Sequence, residues 1–325
     1  MLYKCYLLFH SLYRLLYSVL FVNYFYYKKG LSSEVKAVYK SKNITFDPKY
    51  FKRIFYHGML GSITNEWFTT LRGSPQTKQE ATAGFYLGAA TAVYDDLFDH
   101  QDYTSKETLE DLAHGRYKKD TVSERLSKLF YDRILDNVAD ASDFKSCMIK
   151  VGQFQEESKK QEDPTITEEE VRRITYEKGG YSVALSRSIL AHAYPKGERE
   201  AVYLLGCLIQ LTDDIFDVRR DFLSQTITLP TGTKDIRLIR KEYDQLMEKC
   251  FAAFRALPYP EKNQDRFIIQ IKLIVSRGLV CFDQLERVQQ QHSGIFEISK
   301  YTRQELVCDM EKPINIWRSI RYCLQ

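Results

Sequence analysis

All eight prolines of this chain (Pro48, Pro75, Pro164, Pro195, Pro230, Pro258, Pro260 and Pro313) fall between apolar-periodic segments or at their starts. That placement constrains the fold strongly, because proline is tolerated in the first turn of a helix and disrupts its interior. No proline interrupts a long segment, and the alternation expected of strands is nowhere sustained. The periodicity predicts helices over about 2–27, 48–71, 77–100, 105–116, 121–138, 142–160, 167–193, 197–223, 234–256, 260–292 and 301–322. No Gly/Ser linker divides the chain and no internal repeat is apparent. At 325 residues with 44% hydrophobic side chains it can bury a large core. The expectation is an all-α, single-domain bundle of about ten to twelve helices.

Charge and cysteine usage exclude several classes. A formal net charge of +4, without a long basic block, argues against a nucleic-acid partner. Cys5, Cys147, Cys207, Cys250, Cys281, Cys308 and Cys323 are odd in number and scattered, with neither Cys-x-x-Cys nor a His pair at ligand spacing. Reduced thiols in a cytoplasmic protein are expected, with neither zinc nor a disulfide framework.

Residues 1–30, MLYKCYLLFHSLYRLLYSVLFVNYFYYKKG, are apolar, rich in tyrosine and closed by Lys28-Lys29. They lack a small-residue cleavage site, and Lys4, His10, Arg14 and Asn23 interrupt any bilayer span. Two readings remain open: a first core helix of the fold, or an amphipathic helix whose aromatics and lysines, within residues 2–29, lie at a membrane surface. The remainder, 31–325, is read as the main helical domain.

Two acidic pentads carry the chemistry: Asp-Asp-Leu-Phe-Asp at 95–99 and Asp-Asp-Ile-Phe-Asp at 213–217. Residues i and i+4 share a helix face, so Asp95, Asp96 and Asp99 project together, as do Asp213, Asp214 and Asp217. Carboxylates crowded toward one cavity repel one another unless cations hold them, and hard oxygen ligands suit Mg²⁺, which also takes phosphate oxygens and water. The first pentad ends GFYLGAATAVYDDLFDHQ, whose small residues permit close helix packing, and the second ends GCLIQLTDDIFDVRRD. Two such helices facing each other would place a metal–diphosphate site at the mouth of a central active-site cavity with apolar turns below. Phe68, Phe85, Thr91, Tyr94, Gln210 and Phe216 are candidates to line it, and Arg72, Arg173 and Arg220 are candidates to bind diphosphate.

These motifs resemble those of the class I isoprenoid synthase superfamily, which includes trans-prenyl diphosphate synthases, terpene cyclases and squalene or phytoene synthases. VYDDLFD is similar to its first aspartate-rich motif, and GCLIQLTDDIFD to the second motif of trans-prenyltransferases, roughly G-x-x-x-Q-x-x-D-D-x-x-D. YEKGGYSVALSRSIL resembles the lysine-bearing helix before that motif, which gives Lys178 a diphosphate-binding role, and DFLSQTITLP the loop after it. Arg321-Tyr322 resembles the Arg-Tyr pair of terpene cyclases. The resemblance covers residues 50 to 230 and implies three Mg²⁺ ions, an allylic prenyl diphosphate substrate and a helical homodimer.

Departures from that pattern select among the branches. The Gly-Lys-Arg segment and Arg-Arg pair that serve isopentenyl diphosphate are replaced by LRGSPQTKQEA and HQDYTSKETLEDLAHGRYKKD, where Arg72 with Lys78, or Arg116 with Lys118 and Lys119, are distant substitutes. The Asn/Ser/Glu motif of terpene cyclases and the Asp-x-x-x-Asp spacing of squalene-type enzymes are missing too. Without the cosubstrate site, an allylic cation is consumed within its own molecule, so a terpene synthase releasing diphosphate is expected ahead of a prenyltransferase. A non-catalytic, prenyl-diphosphate-binding regulatory subunit is the alternative of another class, and both complete pentads argue against it. A peripheral membrane interaction protein would bind membrane without magnesium-dependent turnover.

Overall fold

A computed structural model of the protein describes residues 2–98, 110–111, 114–292 and 294–325. The fold is all-α: among the described residues there are fourteen α-helices and no strand. In chain order they are α1 (Leu2–Leu15), α2 (Tyr24–Ser41), α3 (Pro48–Arg72), α4 (Lys78–Phe98), α5 (Val122–Leu135), α6 (Ala141–Glu157) and α7 (Glu168–Ser188). They continue as α8 (Glu198–Phe216), α9 (Val218–Leu223), α10 (Leu229–Gly232), α11 (Ile236–Arg255), α12 (Glu261–Gln291), α13 (Arg303–Leu306) and α14 (Pro313–Leu324). The helix expected over 105–116 falls largely outside the described residues.

Local chemistry sets the boundaries. Pro48 and Pro313 open α3 and α14, and Pro260 immediately precedes α12. Asp47 caps α3 by accepting from the backbone N–H groups of Lys49 and Tyr50, and Gly73, at φ 80°, closes it in the left-handed conformation. Thr121 and Glu124 form a reciprocal capping box at the start of α5.

Three expected helices are corrected. The first does not end near 27: α1 passes through a π-helical segment, Leu16–Asn23, into α2, which runs on to Ser41. The segment 197–223 breaks at Asp217, whose φ of −94° and ψ of 9° separate α8 from α9. The segment 301–322 divides into α13 and α14, with residues 307–312 outside any helix.

The chain divides into two compact units. One comprises His10–Glu156 and Leu185–Ala193. In it, α3 and α4 pack backbone against backbone along Gly61, Gly84 and Gly88: a Cβ on Gly61 would lie 2.5 Å from the Gly84 carbonyl oxygen and 2.8 Å from the Gly88 Cα. Phe85 is wholly buried beside Gly58 and stacks on Tyr27 of α2, ring centroids 4.2 Å apart. Glu80, 1% exposed, accepts from both Arg72 guanidinium nitrogens (2.6 and 2.9 Å) and from the Thr77 and Ala191 N–H groups. Burial alone would raise its carboxyl; those donors outweigh it and hold the group at about 2.

The other unit comprises Met1–Phe9, Glu157–Ala184 and Tyr194–Gln325. Here α7 and α8 meet at Gly179, Gly180 and Gly206, and a Cβ on Gly206 would lie 2.6 Å from the Gly179 carbonyl carbon and the Gly180 Cα. α11, α12 and α8 share a core in which Tyr243 is fully buried and its hydroxyl donates to the Val275 carbonyl (2.8 Å) beside Thr212. α14 packs on α12, where the Tyr322 hydroxyl donates to both oxygens of Asp283, 2.8 and 2.9 Å away.

Candidate metal and diphosphate site

The same device positions an acidic pair in each unit. On α4, Asp95 and Asp96 lie two turns beyond Gly88 of the seam with α3. Asp95 is exposed. Asp96 is held by Arg53 of α3, whose guanidinium donates to its carboxylate (2.6 Å) and to the Ala92 carbonyl (3.0 Å). One turn back, Thr91 donates to the Gly88 carbonyl and meets His57 at 3.1 Å. Burial lowers the His57 imidazole below its ordinary range, against the opposing charge of Asp95. Asp99 lies outside the described residues.

On α8, Asp213 and Asp214 lie two turns beyond Gly206. Asp213 is exposed, whereas Asp214 is buried, with one oxygen accepting from Gln210 (2.9 Å) and the other from Thr175 of α7 (3.2 Å). Burial raises the Asp214 carboxyl to about 6; Gln210, Lys178 and Thr175 oppose the rise and Asp213 adds to it. Asp217, at the helix break, is raised by burial and Asp213, and it pairs with Arg220 at 2.5 Å. Burial followed by the charge of Asp214 pushes Asp221 to about 7. On these carboxylates burial and then mutual repulsion both favour the neutral form, and Lys178 and Arg220 oppose them.

That donor set fits Mg²⁺ by its chemistry. Among the described residues no three His, Cys, Asp or Glu side chains are already gathered into a metal cage. Mg²⁺ does not need one, since it is usually held by one or two carboxylates together with water and phosphate oxygens. Asp213 and Asp214 are the carboxylates that would hold it in this unit, Asp217 being paired with Arg220, and Gln210 and Thr175 fix the orientation of Asp214 as outer partners do.

The remaining candidates separate by their surroundings. Lys178 is half-buried and close enough to Asp214 to lower its carboxyl. Arg220 is 70% exposed and lies beside Asp217 and Asp221. Arg173 is paired with Glu157 at 2.5 Å, Arg72 with buried Glu80, and Tyr322 with Asp283, so each already has an acidic partner in its own unit. Arg321 is exposed. Phe68 and Phe85 are buried in the core of their unit, and the Phe85 ring is packed between Gly58 and Tyr27. Tyr94 is partly exposed near Phe98, ring centroids 6.4 Å apart, and burial of its hydroxyl raises its pKa. Phe216 is half-buried with the Arg277 guanidinium 5.9 Å from its ring.

Arg53, Thr175, His57 and Arg277 are neighbours of the motifs that the sequence reading does not single out. A signal existed for Arg53: in an antiparallel pair seamed at Gly61 and Gly88, a residue two turns before Gly61 meets one two turns after Gly88. No family model matches the chain, and no curated protein matches it.

Proposed function

We propose that the protein is a Mg²⁺-dependent class I isoprenoid synthase acting as a terpene synthase on an allylic prenyl diphosphate. The observation that carries this reading is the second motif, where Asp213, Asp214, Asp217 and Asp221 gather on a partly buried helix end, burial and then mutual repulsion raise the last three, and Lys178 stands beside Asp214. A cation-binding role gives such a cluster a counter-charge, and the first motif repeats the acidic pair on an equivalent glycine-seamed helix. Mg²⁺, when bound, supplies a Lewis acid that stabilises diphosphate as a leaving group.

The protein's own side chains supply the rest. Gln210 and Thr175 hold Asp214 in one orientation, so its carboxylate meets a ligand without reorganising. Lys178 offers positive charge to diphosphate oxygens, whereas Arg220 is paired with Asp217. The ring of Phe216, in the same unit as these aspartates, presents a π face of the kind that stabilises a nearby carbocation.

Chain elongation is the weaker reading, because its second substrate needs a further basic site. Arg72 is held by Glu80, and Arg116 is paired with Asp111 at 2.6 Å. Incubation with Mg²⁺ and dimethylallyl, geranyl, farnesyl or geranylgeranyl diphosphate, each with and without isopentenyl diphosphate, tests the choice by mass spectrometry of the products. A hydrocarbon or alcohol from one allylic substrate alone, lost in Asp95→Ala and Asp213→Ala, is expected. Lengthened diphosphates formed only with isopentenyl diphosphate would replace the reading with a prenyltransferase, and no product from any substrate would remove both.

A further inference from the structure

The N-terminal helical rod has one face fixed and one bare. Its inward side is anchored within the His10–Glu156 unit: Ser11 and Asn23 are buried, and Arg14 pairs with Glu66 of α3 at 2.8 Å. Tyr24 meets Phe55 edge-on, Tyr27 stacks on Phe85, and Leu31 and Val35 are buried. With that side committed, Tyr13, Tyr17, Phe21 and Phe25 point to solvent, between 54% and 69% exposed.

These four rings form a ladder. Tyr13 and Tyr17 stack with centroids 5.9 Å apart and planes 10° apart, Tyr17 and Phe21 at 6.5 Å and 8°, and Phe21 and Phe25 follow at 5.5 Å. A spacing of four residues drifts by about 40° per step around an α-helix, so four such rings would spiral off one face. The π-helical segment Leu16–Asn23 has more residues in each turn and offsets that drift. Backbone geometry therefore keeps the aromatic line straight. Leu16 and Tyr26, both exposed, widen it.

An apolar stripe of this kind calls for a partner, and charge says which. Residues 1–33 contain no Asp or Glu, and with Arg14 taken by Glu66 on the inward side the basic residues left near the stripe are Lys28 and Lys29. Lys28 and Lys29 are exposed directly beyond Phe25. A second copy of the chain would bring like charges together. A bilayer with anionic headgroups complements the lysines, and its interface suits tyrosine, which has an apolar body and a polar tip. No helix of the described residues is long and apolar enough to cross a membrane, so the contact is with the surface. We infer that this outward face docks on an anionic lipid surface, with Tyr13, Tyr17, Phe21 and Phe25 in the interface and Lys28 and Lys29 against the headgroups. The binding is independent of catalysis.

Flotation of the full-length protein with vesicles, in the absence of Mg²⁺ and substrate, tests it. One vesicle set is phosphatidylcholine alone and the other carries one-third phosphatidylserine. The protein floats with the anionic vesicles and far less with the neutral ones. Lys28→Gln/Lys29→Gln weakens binding about twenty-five-fold, since each lysine at an anionic surface contributes roughly fivefold. Tyr17→Ser/Phe21→Ser/Phe25→Ser removes flotation while far-UV circular dichroism stays unchanged, and Leu238→Ser, at an exposed leucine elsewhere, has no effect. Protein that stays at the bottom of the gradient with both vesicle types overturns the inference. So does a lysine pair variant that floats as well as the parent. Dimerisation abolished by the aromatic substitutions, without flotation of the parent, would assign the face to a second copy instead.

Discussion

Replacing Gly206 by alanine separates helix propensity from packing, and Gly30 provides the control. Both glycines lie inside α-helices, so alanine gains about 1 kcal/mol of intrinsic propensity at either position. At Gly30 a Cβ meets nothing within 4 Å, and the gain stands alone. At Gly206 the Cβ would lie 2.6 Å from two backbone atoms of α7 and would run into the Gly179 carbonyl oxygen. No rotamer change relieves a clash with backbone, so α7 and α8 must move apart by about 1 Å and lose contacts along the seam. Overpacking of this kind costs typically 1–3 kcal/mol, and more where main chain has to shift. Gly30→Ala should therefore stabilise by up to about 1 kcal/mol and Gly206→Ala should destabilise by about 2 kcal/mol. Urea unfolding followed by far-UV circular dichroism reads both at constant slope. Equal shifts in the unfolding midpoint for the two variants would refute the argument that backbone contact sets this helix pair.

Glu80→Ala leaves the Arg72 guanidinium without its carboxylate and should cost about 3–5 kcal/mol, as breaking a buried ion pair does, again by urea unfolding; a loss below about 1 kcal/mol would show that the pair is not a structural element. Because the Glu80 carboxyl is depressed from 4.5 to about 2, its contribution is fully present above about pH 4.5 and lost as pH falls toward 2. The melting temperature of the parent should drop more steeply across that window than that of Glu80→Gln, and parallel curves would contradict the assignment. Thr175→Val removes one of two donors to Asp214; the Mg²⁺ concentration for half-maximal turnover should rise about tenfold with the melting temperature nearly unchanged, and an unaltered requirement would exclude a positioning role. Turnover should vanish with excess chelator and return with Mg²⁺.

The helices were legible in the sequence where their punctuation was local. Pro48 with Asp47, Pro313, and the Thr121–Glu124 capping box all sit within one turn of the boundaries they set. The break at Asp217 was not legible, because the apolar pattern continues through Ile215, Phe216 and Val218 and nothing in composition marks a change of backbone there. The π-helical segment was hidden likewise, since Leu16–Asn23 reads as ordinary apolar helix. For the site, the pentads announced their own residues but not their neighbours. Arg53 and Thr175 reach Asp96 and Asp214 from antiparallel helices, and those pairings depend on a register that only the glycine seams define. Arg72 illustrates the converse: its position near the first motif suggested an anion site, whereas Glu80, eight residues later, claims it.

The glycine seams also bear on how these helices tolerate change over evolutionary time. Between Gly206 and Asp213 the chain is a ruler: the seam pins one end to the neighbouring backbone, and the carboxylates are presented at the other. Conservative exchanges among Leu208, Ile209 and Leu211 can be absorbed by side-chain rearrangement, but inserting or deleting one residue would turn the acidic end by about 100° around the helix. The interval from Gly88 to Asp95 in α4 is subject to the same rule. In both helices, then, geometry constrains length more tightly than composition: a substitution leaves the acidic end in place and an insertion turns it away.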